Sequence, residues 1–358
     1  MGVVSKPISP PVAPAITARA RHSKQDALQL AAGVIFVLLL LAVVPPVTNA
    51  YWLQTFTAAA IFSVVALGLG LLIGRAGMVS LCQFSLLALG GWVALRLGYA
   101  TSLPFPVVLL ATGLVTGVIG TVVGLPALRL SGLYLALITL MAAAAITVAL
   151  AATHFPNGGG GFLGYSTTRA GTSELARPAI ATTDEAYYRY VVVVAGAIFM
   201  LAVAHVRSKP GRAWAAIRQS EPAALAAGVN ITLYKLWAFA LASFVTGIAG
   251  GLLAGSGGGL TTYQFPTENN ITLLAAVLMG GAYNLWGAVI AAVFVKVLPA
   301  LLQDWNAPAD ILLILFGVGV IQTLLTAPRG IATQLPKDLG KLAARLRGGG
   351  QADRAAAR

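Results

Sequence analysis

Charged residues are scarce in this chain, and their scarcity decides its class. Only 9% of the 358 residues are charged, 58% are hydrophobic, and the mean hydropathy is +0.86. A soluble domain usually carries about 25% charged residues. Apolar runs close to the ~20 residues needed to cross a bilayer recur along the chain. The sequence therefore predicts an all-α polytopic membrane protein and disfavours a soluble helical protein with an apolar core.

Residues that hold metal ions or carry out catalysis are also scarce. Cys82 is the single cysteine, which excludes an internal disulfide and a cysteine-based metal cage. The three histidines show no ligand spacing, and the chain contains no nucleotide-binding G-x-x-x-x-G-K-[ST] loop, no H-E-x-x-H pair and no paired-carboxylate site. We therefore expect no metal, no cofactor and no catalytic residue, and a membrane-embedded enzyme is disfavoured.

Ionisable residues are nearly absent from the predicted membrane interior. Secondary transporters usually keep such residues near the bilayer midplane, because burying them is costly and only function retains them. Lys296 is the one candidate here, and an amine that reaches outward to water is favoured over a role in transport. Three carboxylates lie at predicted outer edges: Glu268, Asp304 and Asp310. A proton relay is disfavoured, but a stand-alone secondary transporter or channel stays the alternative function.

Ten apolar segments predict about ten transmembrane helices between a cytoplasmic tail, 1–26, and a basic cytoplasmic tail, 327–358. The predicted spans, which together form a transmembrane domain of residues 27–326, are 27–47, 57–73, 81–97, 105–124, 132–152, 190–206, 236–255, 270–282, 287–302 and 310–326. The eighth span is short and contains Gly280-Gly281, so a re-entrant segment is the alternative there. Two groups of five spans would run in opposite senses, as in an inverted repeat.

Basic residues indicate that both termini are cytoplasmic. In that orientation 18 of the 23 Lys and Arg residues lie inside, as the positive-inside rule requires. Topology thereby explains the net charge of +13, and nucleic-acid binding is not expected. The first span follows a basic segment, as the apolar part of a signal peptide does. Its ~20 apolar residues exceed the usual length of that part, so we predict an uncleaved helix.

Helix breaks and uncharged polar residues are the predicted solute contacts, because free backbone groups bind polar solutes without charged side chains. They occur at the start of the third span, in the glycine-rich outer segment HFPNGGGGF and in LMGGAYNLWG. The candidate residues of the translocation path are Ser80, Gln83, Ser85, Asn157, Gly158, Gly280, Gly281 and Asn284. Helix packing alone is the alternative explanation of the glycines.

A polar segment, 207–235, interrupts the apolar sequence on the predicted cytoplasmic side. Basic residues at its start, including Arg212, are expected to lie at the inner headgroups. The residues from 211 to 219 predict a short helix with Trp214 and Ile217 on one face, at i, i+3 spacing.

A second short helix is predicted after it. Glu221 is expected at the N-cap, with Pro222 at the first helical position. Small residues beginning with Ala223 and Ala224 propagate about two turns, and Gly228 is expected to end them in a left-handed cap. A solvated connector is the alternative, but it would not need a capped helix, so a rigid element that docks on a partner is favoured.

Five motifs in a fixed order carry a family resemblance that no single one would carry. They are GLGLLIGRAG (68–77) followed by Ser80-Leu81, GLPALRLSGLYLALITL (124–140), the polar segment through YKLWAF (207–239), LMGGAYNLWGAVIAA (278–292) and Pro328-Arg329-Gly330. From about residue 57 to 330 the chain resembles the permease subunits of branched-chain amino acid ABC importers, in the M-type half.

The resemblance implies that several subunits share the work of transport. Two ATPase subunits would hydrolyse ATP, a second, H-type permease subunit would complete the path, and an extracytoplasmic solute-binding protein would deliver solute at the bacterial cytoplasmic (inner) membrane. Transport would proceed by ATP-driven alternating access. In the family a Glu-x-Ala-Ala…Gly pattern docks on the ATPase, and it maps here onto Glu221, Ala223, Ala224 and Gly228.

Two departures from the family pattern bear on the solute. Cys82-Gln83 replaces a Gly-His pair that is common in the family, and NGGGGF replaces a Thr-Gly-Gly pattern. Relatives handle urea, short amides and other amino acids. The candidate solutes are therefore branched-chain or related amino acids and small amides such as urea, and the role of the outer loop 153–188 stays open.

Overall fold

Helices make up all the regular secondary structure in the part of the chain that the structure describes. The structure is a computed structural model, and it describes residues 15–152, 175–257, 260–305, 308–326 and 330–334. Its α-helices are α1 (Ala15–Val47), α2 (Ala50–Gly70), α3 (Gln83–Ala100), α4 (Phe105–Gly124), α5 (Gly132–Ala152), α6 (Asp184–Arg207), α7 (Lys209–Gln219), α8 (Glu221–Ala226), α9 (Ile231–Ser256), α10 (Asn269–Gly280), α11 (Leu285–Ala292), α12 (Leu298–Asp304) and α13 (Ala309–Thr326).

Two compact units divide the chain. The described residues up to 47, which contain α1, form the first unit, and those from 48 onward, which contain the other helices, form the second. Short π-helical segments in the second unit continue α2 over Leu71–Ala76 and join α11 to α12 over Val293–Val297.

Six helices of the described residues are long and apolar enough to cross a membrane. They are Ala50–Ala76, Phe105–Gly124, Gly132–Ala152, Asp184–Arg207, Ile231–Ser256 and Leu285–Asp304. Shorter apolar helices cover Ala31–Val47, Asn269–Gly280 and Ile314–Thr323. Each of the ten predicted spans overlaps a helix. The all-helical membrane class is confirmed, while the number of ten spans and the inverted repeat stay predictions.

α6 begins six residues before the start predicted for its span. The Thr183 side chain accepts a hydrogen bond from the Ala186 N–H (3.3 Å), and Asp184 forms an ion pair with Arg177 (2.7 Å). Hydropathy excluded this polar first turn from the span. Acidic residues there stabilise a helix start because the N-terminal end carries partial positive charge.

α9 lies at the centre of the second unit, where it packs against α2, α3 and α4. Its first turn is capped by Asn230, whose Oδ1 accepts a hydrogen bond from the Leu233 N–H (3.0 Å). The backbones of α3 and α9 touch at Gly250, where an added Cβ would lie 2.4 Å from the Leu87 carbonyl oxygen. Glycine therefore permits an approach that no side chain would allow, as in other membrane helix pairs.

Candidate coupling surface and translocation path

α7 presents one buried face to the rest of the second unit. Trp214 and Ile217 are both buried, and Trp214 Nε1 donates a 2.8 Å hydrogen bond to the Tyr234 carbonyl oxygen. Arg212 lies on the exposed side of the helix. The predicted amphipathic helix is confirmed, and its indole fixes it to the start of α9.

The start of α8 differs from the prediction by one residue. Ser220, in extended conformation, is the N-cap, and its Oγ accepts a hydrogen bond from the Ala223 N–H (3.4 Å). The expectation of Glu221 at this position was wrong, since Glu221 is the first helical residue and Pro222 follows it in the first turn. The proline is tolerated there because first-turn N–H groups have no partner within the helix. The carboxylate of Glu221 instead binds Lys235.

Gly228 ends α8 as predicted. Its φ is +79°, its N–H donates to the Leu225 carbonyl (2.9 Å), and the next N–H, of Val229, donates to the Ala224 carbonyl (3.0 Å). Nothing lies within 4 Å of the position where a Cβ would be. The left-handed backbone, and not a lack of space, is therefore what favours glycine here.

An ion pair connects α8 to α9. Glu221 Oε1 lies 2.8 Å from Lys235 Nζ; the lysine side chain is 6% exposed and the glutamate side chain 46%. A buried ammonium is costly unless an opposite charge stabilises it, so Glu221 has a defined position relative to the first turns of α9. In the sequence, Lys235 contributed only to the prediction of topology, and its contact with Glu221 was not predicted.

One face of α8 points away from the rest of the protein and is exposed. Among the residues predicted to couple to an ATPase, Ala224 is buried against the protein, and the exposed ones are Arg212, Glu221, Pro222, Ala223 and Gly228. Leu225 adds an apolar side chain that is 63% exposed. α8 is thus a capped helix, fixed on one side and apolar on the free side.

Three predicted path residues, Ser80, Gln83 and Ser85, are buried at the start of α3. Gln83 Oε1 accepts a hydrogen bond from Thr246 Oγ1 on α9 (2.8 Å), and Ser85 Oγ accepts one from Asn270 Nδ2 on α10 (3.2 Å). Gln83 Nε2 has no hydrogen-bond partner among the described residues. Gln83 and Ser85 thereby join α3 to α9 and α10 in this conformation.

Distant side chains satisfy the free backbone groups before and within the first turn of α3. Asn270 Oδ1 accepts a hydrogen bond from the Phe84 N–H (2.9 Å), and Thr139 Oγ1 accepts one from the Leu81 N–H (2.9 Å). Asn270, Thr139 and Thr246 were not among the residues predicted from the sequence. Polar residues within apolar helices were the available signal, but such a residue does not reveal which distant group it binds.

A second break lies between α10 and α11. Gly281 has a φ of +109° just after Gly280, and Asn284 caps α11 by accepting a hydrogen bond from the Trp286 N–H (3.2 Å). The cavity beside this break measures about 10 Å³. Such a space holds about one water molecule, so the cavity does not admit an amino acid in this conformation.

The two groups of predicted path residues lie at opposite ends of α10. Asn270 contacts the group on α3, and Gly280 is ten residues further along, a distance of roughly 15 Å in an α-helix. The structure therefore does not bring the two groups together. Asn157 and Gly158, the remaining path candidates, lie outside the described residues.

Lys296 contacts α2. Its Nζ lies 4.1 Å from the centroid of the Phe62 ring, and its side chain is half-buried in the second π-helical segment. This cation–π contact stabilises the ammonium beside an aromatic face, and neither of the two interpretations of Lys296 included it.

Comparison with known proteins assigns most of the second unit to one family model. The model, described as a branched-chain amino acid transport system permease component, matches residues 51–324. The high-affinity branched-chain amino acid transport system permease protein LivM of Salmonella typhimurium (strain LT2) is 28% identical over 293 residues, which cover 77% of this chain and 68% of LivM. LivM of Escherichia coli (strain K12) is 26% identical over the same shares. No solved structure matches the chain significantly.

Proposed function

Because the chain belongs to the family of permease components of branched-chain amino acid transport systems, we propose that it forms half of the translocation path of an ABC importer. The chain is a transport protein of the bacterial inner membrane, and six helices of its described residues are long and apolar enough to cross that membrane. In the proposed complex an H-type permease subunit forms the other half. Two ATPase subunits and an extracytoplasmic solute-binding protein complete it.

The exposed, capped helix α8 is the observation that carries this proposal. The helix has a serine N-cap, a left-handed glycine end and an apolar residue, Leu225, that is 63% exposed. A short rigid helix of this kind fits a groove on a partner and moves with it as one body. We assign this partner as the ATPase, with Arg212, Glu221, Pro222, Ala223, Ala224 and Gly228 as the coupling residues.

Motion of α8 has a route into the membrane domain. The Glu221–Lys235 ion pair and the Trp214–Tyr234 hydrogen bond both end on the first turns of α9. α9 in turn packs against α2, α3 and α4. In the proposed mechanism ATP binding brings the ATPases together, α8 follows, and α9 carries the displacement to the helices that close the path.

The proposed topology places the polar segment on the cytoplasmic side of the membrane. We propose ten spans with both termini cytoplasmic, related five to five by an inverted repeat, with segment 207–235 facing the ATPase.

Solute would pass between this chain and the H-type subunit, where the α3 start and the Gly280–Asn284 break would be exposed in other conformations. Gln83 supports this role because its Nε2 is buried without a hydrogen-bond partner among the described residues.

Branched-chain amino acids are the proposed solutes, and urea and small amides are the second class. The curated relatives are named as branched-chain amino acid permeases. Cys82-Gln83 at the start of α3 departs from the Gly-His pair common in the family, and this departure favours including amides in the test.

Uptake with and without a working ATPase tests the function. The chain would be expressed with the permease, ATPase and binding protein encoded beside it, and uptake of radiolabelled leucine, urea and acetamide would be measured. We expect leucine uptake that falls to background when the phosphate-binding lysine of the ATPase is replaced, because that lysine is needed for ATP hydrolysis. Gradient-driven uptake by this chain alone would contradict the proposal and indicate a stand-alone transporter.

A further inference from the structure

Two arginines line a single open pocket at one end of a membrane-length helix. The pocket has a volume of about 360 Å³ and is lined by Gly74, Arg75, Ala215, Arg218 and Gln219. Arg75 belongs to the last turn of the Ala50–Ala76 helix, and Arg218 to the last turn of α7. The pocket therefore lies between the end of a membrane-length helix and the polar segment 207–235.

Arg218 is fixed in place by its own contacts. One guanidinium nitrogen, Nη1, donates a 2.6 Å hydrogen bond to the Gly74 carbonyl oxygen. The guanidinium carbon lies 4.4 Å from the centroid of the Tyr283 ring, and the aliphatic part of the side chain packs on Gly77. No other hydrogen bond of Arg218 is present among the described residues, so its remaining N–H groups are available to a ligand.

Arg75 is the unexplained member of the pair. Its side chain is half-buried, and within the described part of the chain it makes no hydrogen bond and no ion pair. Arg218 lines the same pocket, and the pocket lining contains no carboxylate. Two positive charges therefore share one pocket at an electrostatic cost, and a bound anion would lower that cost.

We propose that this Arg75–Arg218 pocket binds the phosphate group of an anionic membrane lipid. A guanidinium presents N–H donors in a planar fork that matches phosphate oxygens. Two guanidinium groups can bind the two free oxygens of a phosphodiester, whose single negative charge lowers the repulsion between them. The end of a membrane span is at the depth of lipid headgroups, and basic pockets between helices at that depth bind anionic headgroups. The volume suits a headgroup rather than a single small ion.

The bound phosphate would stabilise the contact between the polar segment and the membrane domain. It would bridge Arg75 on the span to Arg218 on α7 and so reinforce the hydrogen bond to Gly74. The inference requires only that Ala50–Ala76 crosses the membrane. It does not depend on an ATPase partner, so its failure would leave the proposed function intact.

Lipid titration of the full-length chain tests the proposal. The purified chain in neutral detergent would be titrated with phosphatidylglycerol, phosphatidylcholine or inorganic phosphate, and binding would be followed by the shift of the thermal unfolding temperature. We expect phosphatidylglycerol to bind more tightly than phosphatidylcholine. Arg75→Gln and Arg218→Gln are each expected to weaken phosphatidylglycerol binding about fivefold, since each basic residue near a headgroup contributes ~1 kcal/mol.

Control variants separate the site from a general charge effect. Arg129→Gln removes an exposed basic residue outside the pocket and is expected to leave the lipid preference unchanged. Arg218→Lys keeps the charge without the fork and is expected to weaken binding less than Arg218→Gln. Arg75→Gln breaks no hydrogen bond among the described residues, so it keeps the test valid if Arg218 variants fail to fold.

The outcomes are decisive in both directions. If millimolar inorganic phosphate displaces phosphatidylglycerol and this displacement requires both arginines, the site exists and recognises the phosphate group itself. If phosphatidylglycerol stabilises the protein and inorganic phosphate does not, the site exists and its ligand is the lipid. An unchanged preference in the Arg75→Gln/Arg218→Gln variant would overturn the proposal, as would the absence of any preference in the wild-type chain.

Discussion

Glu221→Lys is expected to reduce solute uptake by the assembled importer about 10- to 100-fold while the permease still reaches the membrane. The substitution places a second ammonium beside the buried Lys235, where an ion pair of 2.8 Å now lies. Hydrogen bonds to charged groups contribute about 1.5–3 kcal/mol, and 1.4 kcal/mol corresponds to a factor of ten. ATP hydrolysis would continue on the ATPase subunits, but the motion of α8 would no longer reach α9.

The measurement is uptake together with ATP hydrolysis in proteoliposomes. The exchanged pair Glu221→Lys/Lys235→Glu is expected to recover part of the uptake, because it restores opposite charges across the same contact. Glu185→Lys is the matched control: Glu185 is also an acidic first-turn residue, its pair with Arg189 at 4.0 Å is exposed, and exposed pairs contribute little. Wild-type uptake in the Glu221→Lys variant would show that the ion pair transmits nothing.

Gly250→Ala is expected to destabilise the membrane domain by about 2–3 kcal/mol or more, a large effect for a single methyl group. The new Cβ would lie 2.4 Å from the Leu87 carbonyl oxygen and 2.6 Å from the Gly91 nitrogen. Both are backbone atoms, so no side chain can rotate to relieve the contact. α3 and α9 would have to separate, and the Gln83–Thr246 hydrogen bond between them would lengthen.

A matched substitution checks that the lost stability comes from the clash of the new Cβ with α3 and not from the change of glycine to alanine as such. Gly317 lies in α13, and nothing is within 4 Å of the position of its Cβ. Gly317→Ala is expected to leave the unfolding temperature unchanged or to raise it slightly, because alanine favours helix over glycine by up to ~1 kcal/mol. Equal unfolding temperatures for the two variants in detergent would contradict the close approach of α3 and α9.

Local patterns in the sequence predicted the parts of the molecule that local physics determines. Hydropathy located a helix at each predicted span, and helical periodicity placed Trp214 and Ile217 on one buried face. Gly228 was predicted at the end of α8 because few other residues adopt a positive φ at low cost. Each of these predictions depends on residues within about two helical turns.

Contacts between distant residues could not be predicted in this way. Ser220 has the short side chain that N-cap positions favour, whereas Glu221 does not. The Glu221 carboxylate instead pairs with Lys235, fourteen residues later, and that contact cannot be predicted from local sequence. The Asn270 side chain caps a backbone N–H that is 186 residues away. A span count needs the helix packing in the membrane as well as the hydropathy, so the sequence alone does not decide whether the short α10 crosses it.

Cross-linking from α8 tests whether this helix docks on an ATPase subunit. Cys82 is fully buried, so Ala226→Cys creates a single exposed thiol on α8 to which a photo-activated cross-linker can be attached. Ile180→Cys, at a position 81% exposed on the predicted outer side, is the control. We expect a cross-link from position 226 to the ATPase whose yield changes when ATP is added, and none from position 180. An assembled, transporting complex without a cross-link from position 226 would contradict the docking of α8.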